Sequence, residues 1–202
     1  MVLTEALGVS VGRGECLDVG RELVGMYSSD PRRTYHNVGH LAACLAEFEL
    51  VRELADDPQA VAAGLWFHDA VYVPGAGDNE ERSAELAARM LGRLGVGTEA
   101  VQQVARLVRA TDHQGQPDWG DGQLICDIDL AVLGGSWAEY SRYATAVRGE
   151  YSVPADQFAA GRAAFLRNML GSEQIYHTRR FRNQYEQTAR ENMQRELAKL
   201  AE

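Results

Sequence analysis

Apolar residues recur at helical spacing along almost the whole of this chain. Leu41, Leu45, Phe48 and Val51, for example, follow one another at intervals of four and three residues, which places them on one face of a helix. A sheet would require repeated runs of β-branched residues with period-two alternation between turn signals, and the sequence contains none. The pattern therefore predicts an all-α fold, and the length of 202 residues fits a single domain over 1–202.

Several helix ends and loops can be predicted from local chemistry. Residues 136–139, Ser-Trp-Ala-Glu, have the capping-box form, while Thr98 and Pro154 are typical of helix starts. Two loops rich in glycine, proline and aspartate cover residues 73–79 and 114–122, and each follows a segment that carries a histidine. Loops on a rigid scaffold are where binding groups tend to lie.

Charge and cysteine content limit the partners and the compartment. A formal net charge of −9 argues against binding a nucleic acid polymer, which needs a basic surface. No segment approaches the roughly 18 apolar residues of a membrane span, and residues 1–14 lack the pattern of a signal peptide. Cys16, Cys44 and Cys126 are odd in number and form no C-x-x-C pair. We expect a cytoplasmic protein that does not bind membranes.

Four histidine and aspartate residues are the candidates for chemistry. His36 and His40 lie four residues apart, so both rings would face one centre if a helix already covers them. His68 and Asp69 end an apolar run, where a carboxylate is costly unless it is paired or bound to a metal. Neighbouring side chains on a helix point about 100° apart, so both can reach a cation beside it.

A further ligand is offered by the segment Cys-Asp-Ile-Asp-Leu at 126–130, through Asp127 or Asp129. Either carboxylate can instead simply face water on an amphipathic helix. Two histidines and two carboxylates would form a mixed nitrogen and oxygen shell, which suits Mn, Fe, Co, Ni, Zn or Mg.

The ordered set His40, His68-Asp69 and Asp129 resembles the H…HD…D pattern of the HD superfamily of metal-dependent phosphohydrolases. Residues 69–72 and 78–84 are similar to small bacterial HD hydrolases, and the likeness runs from about Arg33 to residue 192. The resemblance implies an HD-type helical bundle. It also implies a divalent metal ion and hydrolysis of a phosphate ester, either a nucleotide or another small phosphorylated metabolite.

The same resemblance distinguishes the two aspartates of the 126–130 segment. In the HD pattern the last aspartate stands between an apolar residue and a leucine, which favours Asp129 as the ligand. Asp127 then becomes a candidate for orienting a ligating imidazole.

Residues 35–40, Tyr-His-Asn-Val-Gly-His, are similar to the Y-H-N-x-x-H signature of cyclic-nucleotide phosphodiesterases. This similarity implies that His36 protonates the leaving oxygen and that His40 binds the metal, and an imidazole is well suited to such proton transfer. In those enzymes a further histidine follows the dyad, whereas here residues 70–74 are Ala-Val-Tyr-Val-Pro. The departure counts against a two-metal site and a cyclic substrate.

Other polar residues are assigned subsidiary roles. Asp69 is expected to orient or deprotonate the attacking water, and Glu80 is a second candidate for positioning it, although acids are common at helix starts. Arg33 is the candidate phosphate clamp, since a guanidinium makes bidentate bonds to phosphate. His113 either binds substrate phosphate or a second metal, or caps a helix. His177 is interpreted as structural.

Two other functions remain as alternatives to the phosphohydrolase. Some relatives of the fold hold two irons and act as oxygenases, for which His113 would have to supply an extra ligand. A non-catalytic nucleotide sensor would bind nucleotide tightly without turnover. The sequence contains no P-loop, no G-x-S-x-G elbow and no dinucleotide fingerprint, which argues against those enzyme classes.

Overall fold

The structure, a computed structural model, describes residues 13–113, 115 and 117–201. Within these residues the chain forms α-helices, two short 3₁₀ segments and no strand, so the predicted all-α fold is confirmed. The helices are α1 (Arg13–Ser28), α2 (Val38–Val51), α3 (Pro58–Phe67), α4 (Asn79–Arg93), α5 (Thr98–Ala110), α6 (Gly120–Asp129), α7 (Trp137–Glu150), α8 (Ala155–Gly171) and α9 (Arg179–Lys199). The 3₁₀ segments are Arg52–Leu54 and Leu130–Gly134.

Two sequence predictions fall partly outside the described residues. Residues 1–12, most of the segment in which no signal peptide was found, lie outside them, as do Gln114 and Gln116 of the second loop. Among the helices that the structure does describe, none combines the length and the apolar character needed to cross a membrane.

Helix α3 is the centre of the fold because every residue from Ala60 to Phe67 is buried. Gly64 allows α5 and α6 to pack closely against it. A Cβ atom at this position would lie 2.9 Å from Ile125 Cδ1 and 3.2 Å from Leu107 Cβ. Interiors are too well packed to absorb such an approach without movement.

The capping residues show where the sequence located the helix ends correctly and where it did not. The capping box at Ser136 and Glu139 is confirmed. Thr98 is the first helical residue of α5 rather than its N-cap, because Gly97 takes the extended conformation that precedes the helix. Pro154 is likewise the N-cap of α8 rather than a first-turn residue. These differences are of one residue, the usual uncertainty of helix ends.

Three helix ends meet to form the site. Helix α2 packs against α3 and α6, and α3 also packs against α6. Asn37 caps α2 by accepting a hydrogen bond from the backbone N–H of Gly39 at 2.7 Å, so this helix begins at Val38. The first turn of α2 therefore lies beside the C-terminal ends of α3 and α6.

Candidate metal centre

The side chains of His40, His68, Asp69 and Asp129 face one shared point. The Nε2 atoms of the two histidines lie 3.0 Å apart. Asp69 Oδ2 is 3.4 Å from His40 Nε2 and 3.2 Å from His68 Nε2. Asp129 Oδ1 lies 3.0 Å and 3.5 Å from the same two nitrogens. The convergence predicted for these four side chains is therefore present in the folded chain.

Neighbouring groups fix the orientation of the His68 imidazole and the backbone at Asp69. His68 Nδ1 lies 2.8 Å from the carbonyl oxygen of Leu65, which can only accept, so Nδ1 donates there and Nε2 is the nitrogen that faces the site, where a bound metal would take its lone pair. The Tyr27 hydroxyl accepts from the Asp69 backbone N–H at 3.2 Å and donates to the Trp66 carbonyl at 3.3 Å. These bonds hold the end of α3 in place.

The cluster is buried, and its charges stabilise one another. Burial disfavours a charged imidazole, yet the carboxylates of Asp69 and Asp129 outweigh this and hold the pKa of His68 well above its usual range. Burial also disfavours a charged carboxylate, but hydrogen bonds from His113, His40 and His68 hold the pKa of Asp129 well below its usual range. The two carboxylates therefore stay ionised, as cation ligands must.

Sequence reasoning missed Cys44 as a member of this cluster. It lies one helical turn after His40, and its Sγ is 3.6 Å from His40 Nε2. One ligand atom each from His40, Cys44, His68 and Asp129 lies within 4.8 Å of the others. Three ligands are thus common to two overlapping sets, which differ in whether the fourth is Asp69 or Cys44. The i to i+4 spacing from His40 was the available signal.

His36 lies next to the cluster but not on the helix that carries His40. It precedes the N-cap of α2, so the condition that one helix covers both histidines is not met, although their ring centroids are only 5.7 Å apart. His36 Nδ1 donates to Glu150 Oε2 at 2.6 Å, and the Tyr72 hydroxyl donates to the same oxygen at 2.9 Å. The Tyr72 ring stacks on the imidazole. Glu150, which the sequence did not reveal, thus orients His36.

His113 contacts the outer side of the cluster. Its Nε2 lies 2.8 Å from Asp129 Oδ2, the oxygen that does not face His40 and His68. Burial would lower the pKa of His113, but the hydrogen bond to Asp129 raises it to about 10. Its backbone φ of 53° is in the left-handed region, which is unusual for a residue other than glycine. This contact supports Asp129, and a role of His113 towards substrate or a second metal stays a prediction.

Asp127 does not orient an imidazole as predicted. Its carboxylate accepts the backbone N–H groups of His177 and Thr178, both at 2.7 Å, and so holds the start of α9. The reason is geometric, because residues two apart on a helix point about 200° apart. Asp127 and Asp129 therefore lie on opposite faces of α6.

Arg33 and Glu80 are near the cluster in different ways. The Arg33 guanidinium is buried and donates to the backbone carbonyls of Met26 and Asp69, which is a structural contact rather than an open phosphate clamp. Glu80 is half-buried, and burial raises the pKa of its carboxyl, with the charges of Asp69 and Asp112 adding to the effect. Glu80 is thus close enough to interact with the site electrostatically, and its role in positioning water stays a prediction.

Two cavities open onto the cluster from different sides. The first, of about 570 Å³, is bordered by His40, Cys44 and Asp129. The second, of about 660 Å³, is bordered by His36, His113 and Asp129. Both have volumes typical of small-molecule sites.

No family model matches the chain, and neither the curated proteins nor the solved structures contain a match. The described part of the chain is all-helical and contains a largely buried group, formed by His40, Cys44, His68 and Asp129, that could hold a metal ion.

Proposed function

We propose that this protein is a metal-dependent phosphohydrolase of the HD type. The observation that supports the proposal most strongly is that Asp69 and Asp129 each place a carboxylate oxygen within 3.5 Å of the Nε2 atoms of both His40 and His68, which are themselves 3.0 Å apart. Next to them stands a histidine, His36, that a buried carboxylate holds in one orientation. A metal-binding cluster beside an oriented proton donor is the arrangement that hydrolysis of a phosphate ester requires.

The donor atoms fit a divalent cation. Two imidazole nitrogens and two carboxylates form a mixed shell suited to Mn, Fe, Co, Ni, Zn or Mg. The two negative charges balance the two positive charges of such an ion, which removes most of the cost of burying either alone. When bound there, the ion would polarise the phosphoryl group and lower the pKa of a bound water.

The remaining steps fall to side chains of this chain. Asp69, which faces both histidines of the cluster, orients or deprotonates the attacking water. His36 Nδ1 donates to Glu150, which leaves Nε2 free to carry a proton to the departing alkoxide. Glu150 and Tyr72 keep the ring in that orientation. His113 holds the far oxygen of Asp129 and so positions a ligand without touching the reacting atoms.

Metal analysis and an activity panel test this proposal. Purified protein supplied with Mn, Co, Ni or Mg should hydrolyse a phosphate monoester or nucleotide. His68→Ala combined with Asp69→Ala should lose both the bound metal and the turnover. A control variant, Asp118→Ala, should keep both, because the Asp118 side chain is 91% exposed. Metal-dependent turnover in the site variant at the wild-type rate would contradict the assignment.

His36→Ala separates proton donation from metal binding. The variant should keep its metal and lose about 10²- to 10⁴-fold in kcat, the usual contribution of a general acid. The loss should be smaller for esters whose leaving group needs no proton.

If nucleotide binds tightly but no metal supports turnover in the wild type, the chain is a sensor instead.

A further inference from the structure

The charges around the two cavities indicate which of them receives the substrate. The first cavity is bordered by three carboxylates, those of Glu47, Glu139 and Asp129, and by one guanidinium, that of Arg142. Among the described residues that border the second cavity, the only carboxylate is that of Asp129. His36 also lies in the wall of this cavity. An anionic ester is therefore repelled less in the second cavity, where it also meets the proton donor.

The wall of this second cavity away from the metal cluster is largely aromatic. Tyr143, Tyr151, Phe158 and Phe165 line it from α7, α8 and the segment between them, and all four are only partly buried. Guanidinium groups lie over three of these rings, with Arg162 over Tyr143 and Phe165 at 5.1 Å and Arg148 over Phe158 at 4.8 Å. The rings remain partly exposed, and their exposed apolar surface favours a flat or apolar group through burial and stacking.

The described basic side chains of the cavity wall are already paired with carboxylates. Arg162 is buried and donates from Nε and Nη2 to the two oxygens of Glu196, at 2.9 Å and 3.0 Å. His36 is bound to Glu150, and His113 is bound to Asp129. Beyond the metal cluster, this part of the wall offers no uncompensated positive charge for a second or third phosphate.

We propose that the cavity binds the ring-bearing alcohol part of a monophosphate ester and selects against nucleoside di- and triphosphates. The inference rests on the proposed function, since it places the single phosphoryl group at the metal cluster. The alcohol part then extends past His36 towards Tyr151 and Phe158. Hydrolysis adds water to phosphorus and releases the alcohol, whose oxygen receives the proton from His36.

Matched esters test the selectivity on the metal-loaded protein. 2-Phenylethyl phosphate and ethyl phosphate both release a primary alcohol, so their difference reports the ring rather than the leaving group. The kcat/KM of the first should exceed that of the second by at least about tenfold, which corresponds to about 1.4 kcal/mol. A nucleoside 5′-monophosphate should likewise be a better substrate than its triphosphate.

Gly161 offers a way to narrow the cavity without disturbing the fold. It lies on α8 in the cavity wall, and a Cβ atom there would have nothing within 4 Å. Leucine also favours a helix more than glycine does. Gly161→Leu should bring the ratio of kcat/KM between the two esters towards one. Phe158→Ala removes part of the wall and should also lower this ratio. Gly92→Leu, an equally open position on α4, should leave the ratio unchanged.

A binding arm separates this inference from the proposed function. Titration calorimetry with 3-phenylpropylphosphonate and propylphosphonate, which lack a hydrolysable ester, should show at least about tenfold tighter binding of the first, and Gly161→Leu should abolish the difference. If both esters are hydrolysed equally well, or the triphosphate is preferred, the cavity assignment is wrong while the hydrolase stands. If no ester is hydrolysed, the proposed hydrolase function is wrong. The cavity assignment is then tested by calorimetry alone, and equal binding of the two phosphonates would refute it.

Discussion

Asp129 uses its two carboxylate oxygens for different contacts. Oδ1 faces the imidazoles of His40 and His68, and Oδ2 accepts from His113. Asp127, two positions earlier, faces the opposite way. Sequence spacing alone left both aspartates open, because nothing in the sequence fixes how a helix is rotated about its axis. The family pattern favoured Asp129, and its position in the fold agrees.

Cys44 raises the question of which residue is the fourth ligand, and we expect Asp69 rather than the thiol. Cys44→Ala should keep about one metal per chain, whereas Asp69→Asn should lose most of it, because Asp69 Oδ2 lies within 3.4 Å of both histidine Nε2 atoms while Cys44 Sγ is 3.6 Å from that of His40. Substitution with Co²⁺ allows a direct check by absorption spectroscopy. A thiolate-to-cobalt charge-transfer band that disappears in Cys44→Ala would show that sulfur binds the metal.

Remote carboxylates hold several helix starts and turns by accepting two successive backbone N–H groups. On α6, Asp121 accepts those of Asp56 and Asp57 just before α3, at 2.7 Å and 2.9 Å. Asp127 does the same before α9, and Glu150 does so for residues 35 and 36. The partners are separated by 50 to 115 positions in the sequence. Local patterns therefore could not predict them.

Asp127→Asn tests this type of contact on α9. The amide has one accepting oxygen, so one N–H of the pair loses its partner, which costs about 1–3 kcal/mol in the free energy of unfolding. Urea denaturation should show this loss while metal content stays unchanged. Asp118→Asn, at an exposed position, should have almost no effect. Loss of metal without loss of stability would indicate that Asp127 acts on the site after all.

Glu150 makes a pH-dependent contribution to stability. Burial would raise the pKa of its carboxyl, but the hydrogen bond from His36 outweighs this and lowers the pKa below its usual value. The contribution is therefore complete above the unfolded value, about 4.3, and is lost as the pH falls through the lower folded value. Between about pH 6 and pH 3, Glu150→Gln should lose less unfolding free energy than the wild type. Denaturant titrations at each pH would contradict this if the free energy of unfolding fell equally with pH in the variant and in the wild type.

Across the whole molecule, what sequence could predict followed from periodicity and from rare residue types. Helical spacing was enough to predict the all-α fold. The sequence contains only five histidines, so His40 and His68 could be identified as candidate metal ligands. The Glu150 contact with His36 was not predictable, since 114 positions separate the two residues. Nor was the inward orientation of Arg33, whose charge suggested a substrate contact although its guanidinium is bound to backbone carbonyls.

Metal binding should stabilise the entire fold, because the ligands come from α2, α6 and the end of α3. An ion that binds only the folded state adds about 2.7 kcal/mol at one hundred times its Kd. For a chain of this length that corresponds to a rise in Tm of about 5–10 °C. Differential scanning calorimetry with and without a chelator should show the shift, and His68→Ala with Asp69→Ala should not. An equal shift in that variant would place the stabilising ion elsewhere.

Helix α6 carries Asp121, Asp127 and Asp129 within ten residues, and each carboxylate faces a different part of the molecule. A single residue inserted between Asp121 and Asp127 would rotate the later two by about 100° relative to the first. Natural variants of this chain should therefore change length in the loop before α6 and almost never inside it, so that the count of residues in this one helix is inherited unchanged.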